Sequence, residues 1–129
     1  MIVLDTCIIV DALRGNMSVL DELKERYGAM PISTTTINVL ELYSGAYRSS
    51  NPEANLRNVE SFLEGMLILN IVDATYDIFG HLSAALKDMG TPMGDFDELI
   101  AAIALSYSSG ILTTDEGFKK VPGLEVMPY

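Results

Sequence analysis

The sequence is poor in residues that carry much of protein chemistry. It holds one cysteine, one histidine and eight lysines and arginines against eighteen acids, a net charge of −10 over 129 residues. Cys7 alone makes no internal disulfide and offers no zinc cluster, and a reducing cytoplasm fits that usage. His81 lies between Phe79 and Leu82, away from the acid-bearing stretches, and reads as a structural or exposed residue rather than a base. Arg14, Lys24, Arg26, Arg48, Arg57, Lys87, Lys119 and Lys120 form no cluster. The balance argues against a protein that grips nucleic acid by general electrostatics. If nucleic acid binds, it comes to a local site made acceptable by metal ions. No apolar run approaches the roughly 18 residues that span a bilayer, so no membrane association is expected. The N-terminus opens into a strand without a basic segment or cleavage site, so no signal peptide is expected. Repeats, low-complexity tracts and long linkers are also missing, which leaves residues 1–129 as one domain. A hydrophobic content of 49% with 20% charged residues suits a soluble globular chain.

What is present is an alternation of short apolar runs and helical patterns. Ile2-Val3-Leu4 has no polar alternation and reads as a strand buried on both faces, closed by Asp5. Cys7 to Leu13 continues as a helix capped by Asp5 or Thr6. Arg14-Gly15-Asn16 is a turn signal, with Arg14 read as a solvated turn residue. Ser18 opens a helix through Tyr27, and Met30 to Thr35 is a second strand. A helix from Asn38 to Tyr47 follows, with Asn38 and Glu41 spaced as a capping box. Pro52 starts another, ending at Gly65. Leu67 to Val72 is a third strand, and Asp73 to Met89 a long helix. The loop Gly90 to Gly94 leads to an Ala-rich helix from Asp97 to Leu105. Ile111-Leu112-Thr113 is a fourth strand, Glu116 to Lys120 a short helix, and Leu124 to Val126 a final edge strand. Strands alternating with helices imply a parallel sheet covered on both faces.

That scheme gathers four acids. Asp5 and Asp115 follow strands, Glu41 lies near the start of the helix after the second strand, and Asp97 opens the Ala-rich helix. In a parallel sheet these ends share one side, where ligands bind. Each acid alone is explained by capping. Four together repel, and some stay protonated unless a cation is present. Oxygen-only ligands select hard cations such as Mg²⁺ or Mn²⁺, which lower the pKa of bound water and clamp a phosphodiester. The chemistry implied is phosphoryl transfer or phosphodiester hydrolysis.

Four stretches resemble the PIN-domain family, and within it the VapC-type ribonuclease toxins of prokaryotic toxin–antitoxin pairs. They are Leu4-Asp5-Thr6-Cys7, Asn38 to Ala46, Gly94 to Ala102, and Thr113 to Phe118. The most specific is Asp97-Glu98-Leu99-Ile100-Ala101-Ala102 after the Pro92-Met93-Gly94 turn. The resemblance implies a three-layer α/β/α fold with a central, mostly parallel sheet of four to five strands. It implies a metal-dependent endoribonuclease whose catalytic and metal-binding quartet is Asp5, Glu41, Asp97 and Asp115, holding Mg²⁺ or Mn²⁺. Thr6 and Thr113 match supporting positions. Asp95 is an extra acid, either a further ligand or a turn residue. Cys7 and Asn38 depart from the family pattern, which commonly has Asn and Ser or Thr there. Neither change removes a ligand.

The implied partners are an RNA substrate, a small antitoxin protein and a second copy of the chain. Apolar residues Leu40, Tyr43, Tyr47, Leu56, Val59 and Phe62 would supply an exposed patch for the homodimer. Two other classes compete. A phosphoacceptor signalling domain needs an aspartate closing its third strand and a lysine soon after its last; Asn70-Ile71-Val72-Asp73 and the distance from Asp115 to Lys119 fit it poorly. A catalytically silent protein-binding module on the same fold sits uneasily with an intact quartet.

Overall fold

A computed structural model describes residues 1–15 and 18–129. Five short strands, β1 (Ile2–Leu4), β2 (Ile32–Thr35), β3 (Leu67–Leu69), β4 (Gly110–Leu112) and β5 (Val126–Met127), form one sheet. All four pairings are parallel, in the order β3-β2-β1-β4-β5. Around it lie α1 (Thr6–Leu13), α2 (Ser18–Tyr27), α3 (Thr36–Tyr47), α4 (Pro52–Leu63), α5 (Asp73–Asp88) and α6 (Asp95–Ser106), with a 3-10 turn at Glu116–Lys120. Of the Arg14-Gly15-Asn16 turn, Asn16 lies outside the described residues.

Two apolar cores make this a three-layer α/β/α domain. Ile2, Leu4 and Leu112 point to one face, against Ile8, Ile9, Val19, Leu23, Leu42 and Val59. Val3 and Ile111 point to the other, against Leu82, Leu86, Ile100, Ile103 and Phe118. This explains the unbroken run in β1: each of its side chains is buried, and burial of one such side chain stabilises by roughly 1.5–3 kcal/mol. Strand β2 is mostly polar, yet Ser33, Thr34 and Thr35 are fully buried. It satisfies its hydroxyls on the central strand, Ser33 donating to the Ile2 carbonyl and Thr34 to the Leu4 carbonyl. The small alanines of α6 are completely buried and admit close approach to the sheet.

β1 occupies the middle of the sheet, and the chain leaves it for β2 on one side but receives β4 on the other. Such a reversal opens a crevice at the strand C-termini. Asp5 stands there, its backbone N–H donating to the Leu112 carbonyl.

Some boundaries move. Helix α3 begins at Thr36, not Asn38, because Thr35 is extended and its side chain takes the N-cap, in a capping box with Asn38. Glu41 therefore belongs to the second turn and to no capping box. Strand β3 stops at Leu69, the partner of Thr35, since β2 ends there and offers nothing further to pair with. Helix α6 opens two residues early, at Asp95, so Asp97 is inside the helix rather than its cap. Gly94, the N-cap, has φ near +101°, a conformation open to glycine.

Candidate active site

Asp5 is the best-held side chain at the crevice. It is buried at 7% exposure and caps α1. Its Oδ1 accepts from the Thr6 backbone N–H at 2.9 Å and from Asn38 Nδ2 at 3.0 Å. Its Oδ2 accepts from the Thr113 hydroxyl at 2.6 Å. The Cys7 thiol adds a weak contact to Oδ2 at 3.9 Å. A buried charge is costly unless donors surround it, and three strong donors do so here.

The segments that follow the two neighbouring strands supply two of those donors. From β2, the Thr35/Asn38 box fixes Asn38, which is fully buried. Its amide also donates to Thr6 Oγ1 at 3.0 Å, and Thr6 Oγ1 donates to Glu41 Oε1 at 2.8 Å. From β4, Thr113 Oγ1 accepts the Asp115 backbone N–H at 3.0 Å while its hydrogen goes to Asp5. Asp115 is exposed and caps the 3-10 turn, accepting from the Gly117 N–H at 2.8 Å. A Cβ at Gly117 would lie 3.1 Å from that carboxylate, so a glycine keeps the cap tight.

Asp97, half-buried in the first turn of α6, accepts no hydrogen bond from a side chain among the described residues. Burial foremost, and then the charges of Asp115, Asp5 and Glu41, push its carboxyl up from 3.8 to about 6. The three charges that act on it are the other three acids singled out in the sequence. The structure thus brings all four to one electrostatic neighbourhood. Asp95 is exposed at the first residue of α6, and Thr6 and Thr113 contact Glu41 and Asp5 as supports.

As they stand, the carboxylates do not form a closed cage: among the described residues, no three Asp, Glu, His or Cys groups make a set that could hold a metal ion. The chemistry of the donors still fits a hard divalent cation, being oxygen only, with one carboxylate free of donors and destabilised by three others. His81 is exposed on α5 and takes no part in these contacts.

Two residues escaped the sequence reading. Asn38 was expected as a cap and as a departure from the family pattern near the site, with no bond assigned to it, and its amide proves to bridge Asp5 and Thr6. Glu98 drew no attention beside Asp97, yet it is buried at 3% exposure, and its Oε2 accepts from the Met93 N–H at 3.0 Å. It pins the loop that delivers Asp97. Its signal was faint: an acid flanked by Asp97 and Leu99 reads as a solvated helix residue.

Beside the acids runs an open groove of about 270 Å³ lined by Thr6, Glu41, Val10, Leu42, Ala46 and Val59. The expected patch between α3 and α4 is only partly exposed. Leu40 and Tyr47 face outward, whereas Val59 is core and Tyr43, Leu56 and Phe62 are half-buried. A broader apolar exposure lies along the β3 edge and the start of α5, at Leu67, Ile68, Ile71, Val72 and Tyr76. Among the described residues, no helix is long and apolar enough to cross a membrane.

Residues 2–124 match the model of the PIN domain. The chain is 34% identical over 123 residues to the tRNA(fMet)-specific endonuclease VapC of Shigella flexneri, covering 94% of this chain and 92% of that one. It is 36% identical over 104 residues to ribonuclease VapC2 of Haemophilus influenzae, covering 80% and 77%. Among solved structures, VapBC2 from Rickettsia felis bound to a DNA fragment from their promoter superposes with a TM-score of 0.92. The two are 26% identical, with 100% of this chain and 99% of that one covered. VapBC from Salmonella typhimurium, bound to DNA, gives a TM-score of 0.88 at 27% identity, covering 98% and 96%.

Proposed function

The chain belongs to the PIN-domain family, and from that premise we propose that it is an endoribonuclease acting as the toxin of a toxin–antitoxin pair. The observation that supports the reading is the raised Asp97 carboxyl, on which Asp115, Asp5 and Glu41 all act besides burial. These four side chains would hold Mg²⁺ or Mn²⁺. When bound, the cation supplies an acidified water and neutralises charge on a phosphodiester.

The protein's own groups divide the remaining work. Asp5 is fixed through both oxygens and serves as the rigid member. Glu41 is aimed by Thr6. Asp97 has no donor and exchanges a proton near pH 6, so its oxygens are the ones free to turn toward a cation or to take a proton. Asp115, on an exposed turn, adds the largest of the three charges that act on Asp97. No histidine is available for acid–base work, so proton handling falls to carboxylates.

The partners follow from the relatives. The solved neighbours are VapBC complexes, and a basic or apolar segment of an antitoxin suits both the net charge and the groove beside Thr6 and Glu41. The β3 edge, with Leu67, Ile71, Val72 and Tyr76, is the face for self-association. The protein works in the cytoplasm, where RNA is. The Shigella relative is named for tRNA(fMet), which makes tRNA the first substrate class to offer.

The test is cleavage of labelled RNA by the purified chain with Mn²⁺, with EDTA, and with Asp5→Asn and Asp97→Asn. Metal-dependent cleavage lost in both variants supports the reading. Cleavage that survives EDTA, or survives both substitutions, refutes it. A wild type that folds, binds its partner and cuts no RNA in metal would favour the silent-module alternative.

A further inference from the structure

We infer that Asn38 is a positioning residue that couples Asp5 to Glu41 through the Thr6 hydroxyl. The inference rests on the reading of Asp5 and Glu41 as members of the metal-binding quartet. For its capping role Asn38 needs only its side-chain oxygen. That oxygen accepts from Thr35 Oγ1 at 2.7 Å and from the Thr35 N–H at 3.3 Å. The amide nitrogen is surplus to the cap, and both of its hydrogens go to the site: one to Asp5 Oδ1 and one to Thr6 Oγ1.

The direction of every bond is forced. Thr35 Oγ1 accepts the Asn38 N–H at 3.2 Å, so its own hydrogen goes to Asn38 Oδ1. Thr6 Oγ1 accepts from Asn38, so its only hydrogen goes to Glu41 Oε1. Turning the Asn38 amide over would set its oxygen against the Asp5 carboxylate and leave Thr35 without an acceptor. A fully buried side chain with four satisfied bonds and one allowed orientation is a rigid spacer. It fixes Glu41, on the second turn of α3, relative to Asp5, at the end of β1. With Asn38 removed, the Thr6 hydroxyl hydrogen is free to turn to Asp5, and Glu41 loses its only side-chain donor among the described residues.

Thr6→Val cuts the relay downstream and leaves the Thr35/Asn38 box intact, so it guards against a simple folding defect in Asn38→Ala. The experiment measures Mn²⁺ affinity by titration calorimetry for wild type, N38A, T6V and the double variant, each with a cooperative melt in EDTA. Loss of an outer residue that orients ligands typically weakens metal binding about 10- to 100-fold. Each single variant should fall in that range, and the double should be no weaker than the worse single, the non-additivity expected of one chain. A T6V protein with wild-type Mn²⁺ affinity, or two losses that simply multiply, overturns the relay. A second readout needs no metal. In nuclear magnetic resonance spectra of the EDTA-treated protein, the Asn38 side-chain N–H₂ should exchange slowly, and T6V should shift one of its two protons. If wild type binds no Mn²⁺, the quartet reading falls, and the relay is judged by this spectrum alone. It fails if the Asn38 side chain exchanges as fast as that of exposed Asn70.

Discussion

Asp97 has no donor to share its charge and three acids that act against it. Its carboxyl titrates near 6 in the folded chain and near 3.8 when freed, so between those values the folded state keeps a proton that the unfolded state has lost. Stability contributed by the protonated form is therefore present at pH 4 and lost as the pH climbs through about 6. Asp97→Asn removes that loss. In EDTA, the melting temperature of the variant relative to wild type should rise between those two values and then level off. A constant offset across the range would show that neither burial nor the three acids raise the Asp97 carboxyl. Glu98 makes the contrasting case. It is buried and bonded to the Met93 N–H, so Glu98→Ala strands a donor and should cost about 1–3 kcal/mol in urea unfolding. Glu98→Gln keeps an acceptor and should cost less. That Asp5, Glu41, Asp97 and Asp115 share one electrostatic neighbourhood was legible because strand ends and helix starts lie on one side of a parallel sheet. Glu98 and the bridging amide of Asn38 were not, since burial of a polar side chain depends on neighbours far along the chain.

Elements were legible where periodicity was strong. The helices and all five strands appear close to where the pattern puts them, and the errors fall at their ends. Thr34-Thr35-Thr36 offers several caps in a row, and two boxes fit the sequence, Thr35 with Asn38 and Asn38 with Glu41. Extended backbone at Thr35 and burial of Ile37 decide for the first. Strand β3 was read too long because apolar Ile71 and Val72 continue its pattern, whereas strand length is set by the partner's end. The Ala-rich reading of α6 was sound, and it yields a firm expectation. Ala101 is completely buried beneath Ile100 and Ile103, so Ala101→Leu overpacks that core and should destabilise the fold by about 1–3 kcal/mol in chemical denaturation. A neutral result would mean that α6 stands further from the sheet than described.

At the scale of the molecule, charge sets an unusual sign. Nucleases that hold RNA with basic surfaces lose affinity as salt rises, through counterion release. A chain of −10 repels RNA at long range, and salt screens repulsion as well as attraction. With metal in excess, kcat/KM for RNA should stay flat or rise as KCl goes from about 20 to about 150 mM, over which the screening length falls toward about 8 Å. A steep decline would point to a basic RNA-binding surface contributed by a second copy or by another chain. The apolar surface was the least legible feature at this scale. Leu67-Ile68-Leu69 has the composition of a buried strand, and only the sheet order makes it an edge.

That sheet order also sets when the enzyme comes into being. Strand β1 pairs with β4 at Ile2 with Gly110, Val3 with Ile111 and Leu4 with Leu112, and Asp5 gains its Oδ2 donor from Thr113. The first and last parts of the chain must meet before the acids face one another. During synthesis, N-terminal segments emerge first, and pairings this distant in sequence are slow to form. The site is thus assembled with the sheet as a whole, since one of the bonds that hold Asp5 joins residues 108 positions apart and no single segment can build it alone.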